Sequence, residues 1–326
     1  MILAAAREKE GSLVRRGVYY VNQAIVTLRA LLGWFRRPAG IDDSNVPDSK
    51  RPDVIPQGFT PIPEFDPEDI FIVGYPRSGN TWFENLVLSV AYGVDPRWMP
   101  NGLTQELVPY FAFPGDLYAP RKYYRRYATP MFFHSHSLPR PECRRVVYLL
   151  RDGRDVLVSY WRYREALDSV EYDFLTFVSE IFLYPCRWEQ HVNAWLDNPF
   201  GAQMLIIRFE DLIHEPVREL KRFCEFAGIS RDIGHLIGSA EAASFQNLRD
   251  RELRMGHGWP DYPFPRDKSF FRRGKIGSYK DEMPPEVLEK FLADAGETMR
   301  RCGYLTGSQF NSGTGAESPT ATVPSP

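Results

Sequence analysis

IFIVGYPRSGNTW, residues 70–82, runs from an apolar segment through a glycine-bearing loop into a helix-compatible stretch. Ile70-Phe71-Ile72-Val73 is largely β-branched and reaches Gly74, the pattern of a short buried strand bounded by a turn. Thr81 to Tyr92 follow as the helical segment. Strand, glycine loop and helix N-terminus together make a phosphate cradle, because free backbone N–H groups and the positive end of the helix dipole point into one concavity. The spacing Gly74-x4-Gly79-x-Thr81 comes close to the nucleotide P-loop, G-x-x-x-x-G-K-[ST]. Asn80 stands where that motif has Lys, and a cation sits earlier, at Arg77. The loop suits a phosphorylated ligand, yet it lacks the lysine that reaches the β- and γ-phosphates of a nucleotide.

Outward from this loop, strand-like runs at Met131–His134, Arg145–Leu150 and Met204–Phe209 alternate with helical patterns near 80–92, 153–164, 174–183, 185–196 and 216–227. Such alternation predicts an α/β fold with a central parallel sheet flanked by helices on both faces. Leu288, Phe291, Leu292, Ala295 and Met299 mark one further amphipathic helix, with Pro284-Pro285 suited to its start. The expected organisation is an amphipathic helical segment over 1–37, a Pro- and Asp-rich linker over 38–66, one domain over 67–305, and a Ser/Thr/Gly/Pro-rich disordered tail over 306–326.

The 326 residues carry a formal net charge of −2, which gives no global reason to expect a nucleic-acid partner. Cys143, Cys186, Cys224 and Cys302 form no C-x-x-C pair; they suggest a reduced compartment and no structural zinc. The expected location is the cytoplasm. The N-terminus lacks a secretory signal pattern. Val18, Val21, Ile25, Leu28, Leu32 and Phe35 form a helical stripe interrupted by Arg29, too broken for a spanning helix. It is read as a helix packed on protein. Residues 1–37 hold seven Lys/Arg against two Glu, so peripheral membrane contact through 18–35 is the alternative.

Three further segments add chemistry. In YLLRDGRDVLVSYW, residues 148–161, a strand ends at Arg151 and a helix begins near Asp152. Arg151 and Ser159, on the following helix, can hold a second phosphate, Arg through planar charge-assisted donors; a surface pairing of Arg151 with Asp152 or Asp155 is the plainer alternative. In FFRRGKIGSYK, residues 270–280, Arg272, Arg273 and Lys275 crowd around Gly274 and Gly277. That crowding costs self-repulsion unless an anion neutralises it, so the segment is read as a basic loop closing over phosphate. In FFHSHSLP, residues 132–139, His134 and His136 fall at the C-terminal end of a strand, where open α/β sheets place ligands. His136 suits a general base near neutral pH.

This set resembles the sulfotransferases that use 3′-phosphoadenosine-5′-phosphosulfate (PAPS), a family with a P-loop-like fold. Their YPKSGTTW loop is similar to YPRSGNTW at 75–82; their Arg and Ser eight apart match Arg151 and Ser159; their late RKGxxG loop matches Arg272-Arg273-Gly274-Lys275-Ile276-Gly277. Their K-[ST]-H-x-P segment points to His136 rather than His134, and their adenine-stacking Phe resembles Phe245 after Ser244. The resemblance spans most of 67–305 and implies PAPS as cofactor, with no metal required. It implies that Arg77, Ser78, Gly79, Asn80, Thr81 and Trp82 hold the phosphosulfate, that Arg151, Ser159, Arg272, Arg273 and Gly274 hold the 3′-phosphate, and that Ser244 and Phe245 meet the adenine. His136 would deprotonate the acceptor, and Arg77 would stabilise charge on the leaving phosphate. The chain departs from the pattern at Arg77, at Asn80, at Phe209 (where many members have Tyr) and at Tyr279 (where Trp is frequent).

Two other readings stay open: a kinase drawing on ATP, which should show Lys at position 80, and a non-catalytic nucleotide-binding or scaffold relative. The implied partner is an alcohol, as a small molecule, glycan or lipid, or an amine; a homodimer is also open. Tyr110–Phe113 and Tyr123–Tyr127 are the expected acceptor lining. Trp188, His191 and Trp195 share one helical face that suits core or pocket equally, and the basic run Arg121–Arg126 reads as a solvated face or a guide for an acidic acceptor.

Overall fold

Side chains alternate across a strand, and along Ile70–Gly74 both alternating sets are buried; such a strand belongs inside a sheet covered on both faces. The computed structural model describes residues 55–62, 64–100, 102–111, 123–180, 183–256, 264–265 and 267–305. The stripe at 18–35, the first part of the expected linker and the tail from 306 lie outside the described residues.

In chain order the strands are β1 (Thr60–Pro61), β2 (Ile70–Gly74), β3 (Tyr123–Tyr124), β4 (Phe132–Ser135), β5 (Arg145–Leu150) and β6 (Gln203–Arg208). The helices are α1 (Asn80–Tyr92), α2 (Leu103–Leu107), α3 (Gly153–Asp168), α4 (Phe174–Glu180), α5 (Trp188–Asp197), α6 (Phe209–His214), α7 (Pro216–Ala227), α8 (Ile233–Ala242), α9 (Phe245–Met255), α10 (Tyr279–Glu282) and α11 (Pro285–Arg301). The main sheet has the order β4-β2-β5-β6 and is parallel throughout. The chain passes from β2 to β4 on one side, then crosses to β5 on the other. β2 is therefore the topological switch point, beyond whose carboxyl end open parallel sheets bind ligands.

Phe71, Val73, Phe133, Val146, Tyr148 and Leu150 face one core, covered by α3, α4, α5 and α11. Ile70, Ile72, Phe132, Val147 and Leu149 face the other, covered by α1, α7 and α8. The central strands β2 and β5 are apolar runs buried on both faces, while the edge strand β6 is only partly buried. The helix expected from 185 begins at Trp188, and the one expected over 174–183 is seen as Phe174–Glu180. Helices α8 and α9 were not expected. Side-chain caps open them: Asp232 accepts from His235 N, and Ser244 from Asn247 N.

The expected linker is too long as read. Thr60 and Pro61 pair with Tyr124 and Tyr123, and the Phe65 ring lies 5.0 Å from the rings of both Phe71 and Phe133. Arg126 is no solvated cation: its guanidinium clasps Asp69, a fully buried carboxylate, at 2.9 and 2.6 Å. Among the described residues no helix is long and apolar enough to cross a membrane.

Candidate active site

The loop after β2 must reverse sharply to place the α1 N-terminus beneath it. Two residues adopt left-handed backbone there, Arg77 (φ 73°) and Gly79 (φ 104°). Gly79 has no substitute: a Cβ would sit 2.7 Å from Cδ2 of Phe209. At Arg77 the strained φ is held by the side chain. Its Nε donates to Ser159 Oγ at 3.2 Å and its terminal nitrogen to the Phe270 carbonyl at 3.2 Å. The guanidinium lies 4.7 Å from the Tyr163 ring centre and 4.2 Å from that of Phe270. Arg77 and Ser159, expected at opposite ends of the nucleotide, thus touch each other.

Within the cradle, Ser78 Oγ and both amide atoms of Asn80 are buried without a protein partner. Buried polar atoms are nearly always satisfied, so this surface fits an anionic, hydrogen-bonding ligand such as a phosphate. Thr81 follows in the first turn of α1, where its carbonyl accepts from Asn85. Trp82 donates its indole N–H to the Ala243 carbonyl at 2.8 Å, tying the loop to the start of α9.

β4 and the residue after it carry the two histidines. His134 is buried with Nδ1 2.8 Å from Glu84 Oε1. His136, one residue past the strand and half-buried, places Nδ1 2.6 Å from the Gly74 carbonyl. A carbonyl can only accept, so Nδ1 carries the proton and Nε2 presents a lone pair. Burial, then the neighbouring His134, pushes the His136 pKa well below the usual histidine range, against the opposing pull of the Gly74 carbonyl. Beneath it, His191 donates through Nε2 to the His136 carbonyl at 3.1 Å, and its Nδ1 lies 3.0 Å from the Tyr148 hydroxyl. Trp195 donates to the Ser137 carbonyl at 3.0 Å. The α5 face is therefore core that holds the histidine segment from behind.

Arg151 ends β5 and is buried. It donates to the carbonyls of Arg77 at 3.0 Å and Lys275 at 3.4 Å, and stands 4.0 Å over the Phe209 ring. Its Nε has no protein partner. The alternative, a pairing with Asp152 or Asp155, is not formed. Arg154 takes Asp152, at 2.6 Å, and Asp155 accepts from the backbone N–H groups of Gly277 at 2.7 Å and Tyr279 at 2.9 Å.

The basic loop needs correction. Its cations are not left to an outside anion, because Glu282 and Asp281 of α10 pair with Arg272, Arg273 and Lys275. Gly274 is left-handed (φ 57°) and packs against Phe245, whose ring would lie 2.3 Å from an added Cβ. Ser244 caps α9. Of the expected acceptor lining, Tyr110 faces the histidines, its ring centre 5.9 Å from that of His136. Phe111 and Tyr124 are core instead, and 112–122 lie outside the described residues.

Besides Glu282 and Asp281, sequence reasoning missed two carboxylates that hold the backbone of the late loop. Asp155 is one; Glu252 of α9 is the other, accepting from the N–H groups of Phe270 at 2.6 Å and Phe271 at 3.1 Å. The available signal at Asp155 was a carboxylate one residue before the apolar run Val156-Leu157-Val158, early in a helix.

A parallel sheet with a phosphate cradle, a histidine and a buried arginine beyond the carboxyl ends of β2, β4 and β5 defines a P-loop-like group-transfer enzyme. The sequence profile of the sulfotransferase domain matches residues 67–303, and the chain belongs to that family. Cytosolic sulfotransferase 8 of Arabidopsis thaliana is 30% identical over 258 residues, 69% of this chain and 76% of that protein. Cytosolic sulfotransferase 1 of the same plant is 28% identical over 262 residues, 69% of this chain and 77% of its own. Two solved structures share the fold. A mouse sulfotransferase complexed with PAP has a TM-score of 0.54 at 20% identity, covering 73% of this chain and 89% of its own. Retinol dehydratase, in complex with androsterone and PAP, has a TM-score of 0.55 at 18% identity, covering 76% and 84%.

Proposed function

We propose that this chain moves the sulfuryl group of PAPS to the hydroxyl, or amine, of a small-molecule acceptor, with His136 as general base. The observation that supports this best is the placement of His136: Nδ1 donates to the Gly74 carbonyl, which leaves Nε2 as the accepting nitrogen, and burial lowers its pKa in favour of the neutral form. When bound, PAPS supplies an activated sulfuryl group on a phosphate leaving group. The α1 N-terminal N–H groups, the Ser78 and Thr81 hydroxyls, Asn80 and Arg77 would hold the phosphosulfate, while Trp82 braces the loop. Arg151, Ser159, Arg272, Arg273 and Gly274 would hold the 3′-phosphate, and Phe245, placed by the Ser244 cap, would stack on adenine.

Retinol dehydratase has been solved with retinol and with androsterone, and Tyr110 gives the His136 site an aromatic wall. An apolar alcohol of that kind is the acceptor class we propose, in the cytoplasm, as the names of the plant relatives state for them. Labelled PAPS incubated with a panel of phenols, steroid alcohols and apolar primary alcohols should give a labelled ester. His136→Ala should give none while still binding 3′-phosphoadenosine 5′-phosphate (PAP). Turnover with magnesium ATP and none with PAPS would sink the proposal; normal turnover by His136→Ala would sink the base.

A further inference from the structure

Arg272 clasps Glu282 with both terminal nitrogens, at 2.7 and 2.9 Å. Arg273 reaches the same carboxylate at 2.7 Å and Asp281 at 2.9 Å, and Lys275 Nζ lies 3.0 Å from Asp281. Arg162 stands 3.6 Å from Glu282, although it pairs more closely with Glu165, at 2.9 Å. Glu282 is thus the meeting point of three guanidinium groups, with its side chain 13% exposed against 50% for Asp281.

We infer that Glu282 and Asp281 are specificity-determining residues that compete with the 3′-phosphate of the nucleotide for Arg272 and Arg273. This rests on the proposed reading of 272–274 as part of the 3′-phosphate site. Carboxylate and phosphate engage a guanidinium through the same planar fork, and the Arg272 fork is committed to Glu282. A phosphate approaching either arginine must share or displace a carboxylate, and it meets like charge that partial burial leaves poorly screened. Asp155 fixes the backbone at the start of α10 through the N–H groups of Gly277 and Tyr279, so the carboxylates clear the arginines only by changing side-chain rotamer. Arg151 provides the contrast: its hydrogen bonds go to carbonyls, and among the described residues no carboxylate pairs with it.

The opposing account makes the two carboxylates a scaffold that aims the arginines at the phosphate. The accounts predict opposite signs. Glu282→Gln and Asp281→Asn keep side-chain shape, and a thermal melt checks that each variant stays folded. Titration compares PAP with adenosine 5′-phosphate, which lacks the 3′-phosphate. Competition predicts that Glu282→Gln binds PAP about tenfold tighter, and Asp281→Asn, more exposed, about twofold tighter. Adenosine 5′-phosphate should change less than about twofold in either. Unchanged or weaker PAP binding would overturn the inference, as would equal tightening of both nucleotides. Should the unsubstituted chain hold both nucleotides equally, the 3′-phosphate reading itself falls, whatever the variants do.

Discussion

Gly274→Ala tests whether the late loop and Phe245 form one surface. A Cβ at Gly274 would lie 2.3, 2.6 and 2.7 Å from Cδ2, Cε2 and Cγ of Phe245, where carbon atoms normally rest about 3.5–4.0 Å apart. The loop cannot retreat. Asp155 holds Gly277, Glu252 holds Phe270 and Phe271, and Arg249 donates to the Arg272 carbonyl at 3.0 Å. The ring must therefore move by about an ångström to restore ordinary contact. That overpacking costs about 1–3 kcal/mol, and alanine at φ 57° adds about 1–2 kcal/mol of left-handed backbone strain.

In a Phe245→Ala background the ring is gone and only the backbone strain remains. Urea denaturation of the four proteins of this cycle should give an interaction of about 1–3 kcal/mol, with the double variant more stable than the sum of the single losses. The Gly274→Ala protein should also lose roughly 5- to 150-fold in PAP affinity, the equivalent of about 1–3 kcal/mol of ring stacking. Additivity within about 0.5 kcal/mol would refute the packing argument. Unchanged PAP affinity in Gly274→Ala would remove Phe245 from the adenine site.

Arg151→Ala should cost about 2–5 kcal/mol in PAP binding, roughly 30-fold or more, and much less with adenosine 5′-phosphate; equal losses for both would refute the assignment. As the proposed base, His136 would act when neutral, and its pKa is lowered by burial, so kcat/KM should be level at and above pH 7, with its acid limb below the ordinary histidine range. A limb centred at or above that range would contradict the geometry. His191 is fully buried with its pKa pushed down to about 4 by desolvation. Its folded pKa lies below its unfolded value, so its neutral form favours the native state: the contribution is full above about pH 6.5 and is lost as the pH falls toward 4. The loss is at most about 3 kcal/mol, and denaturation midpoints should show a shallower acid slope in His191→Gln than in the parent.

The central strands were legible because a parallel strand buried on both faces has to be written as an unbroken apolar run, and Val146 to Leu150 is one. Asp152 marked the start of α3 by its capping chemistry, and its carboxylate does accept from Arg154 N. Glycines at 234 and 238 broke the apolar pattern of α8, so its helical character depended on the Asp232 cap, a weaker signal. Tyr124 was misplaced because an aromatic side chain looks the same in a core as in a pocket; its partners, Phe65 and Phe133, are fixed only by the sheet. The basic loop showed its cations openly and concealed their neutralisation. Arg272 meets Glu282 through the turn into α10, and Asp155 meets Gly277 across 122 positions of chain. Pairings of that kind follow from topology and have no local pattern.

Phe209 first stands out as a loss, since the resemblance leads one to expect a hydroxyl there. The ring, however, does two things that need no hydroxyl. It packs so closely against Gly79 that no side chain fits there, and it backs Arg151 at 4.0 Å. An aromatic face attracts a guanidinium without occupying its hydrogen-bond donors, and the other contacts of Arg151 are carbonyls, which carry partial charge only. Burial lowers the Arg151 pKa, yet an arginine stays protonated in proteins. Asp155, Glu210 and Asp152 act on that charge from nearby without a hydrogen bond to it, so no donor of Arg151 is committed to a carboxylate, whereas Arg272 and Arg273 spend theirs on Glu282 and Asp281. On the proposed reading, recognition of a 3′-phosphate would fall most heavily on Arg151, and Phe209 would help to keep its donors available.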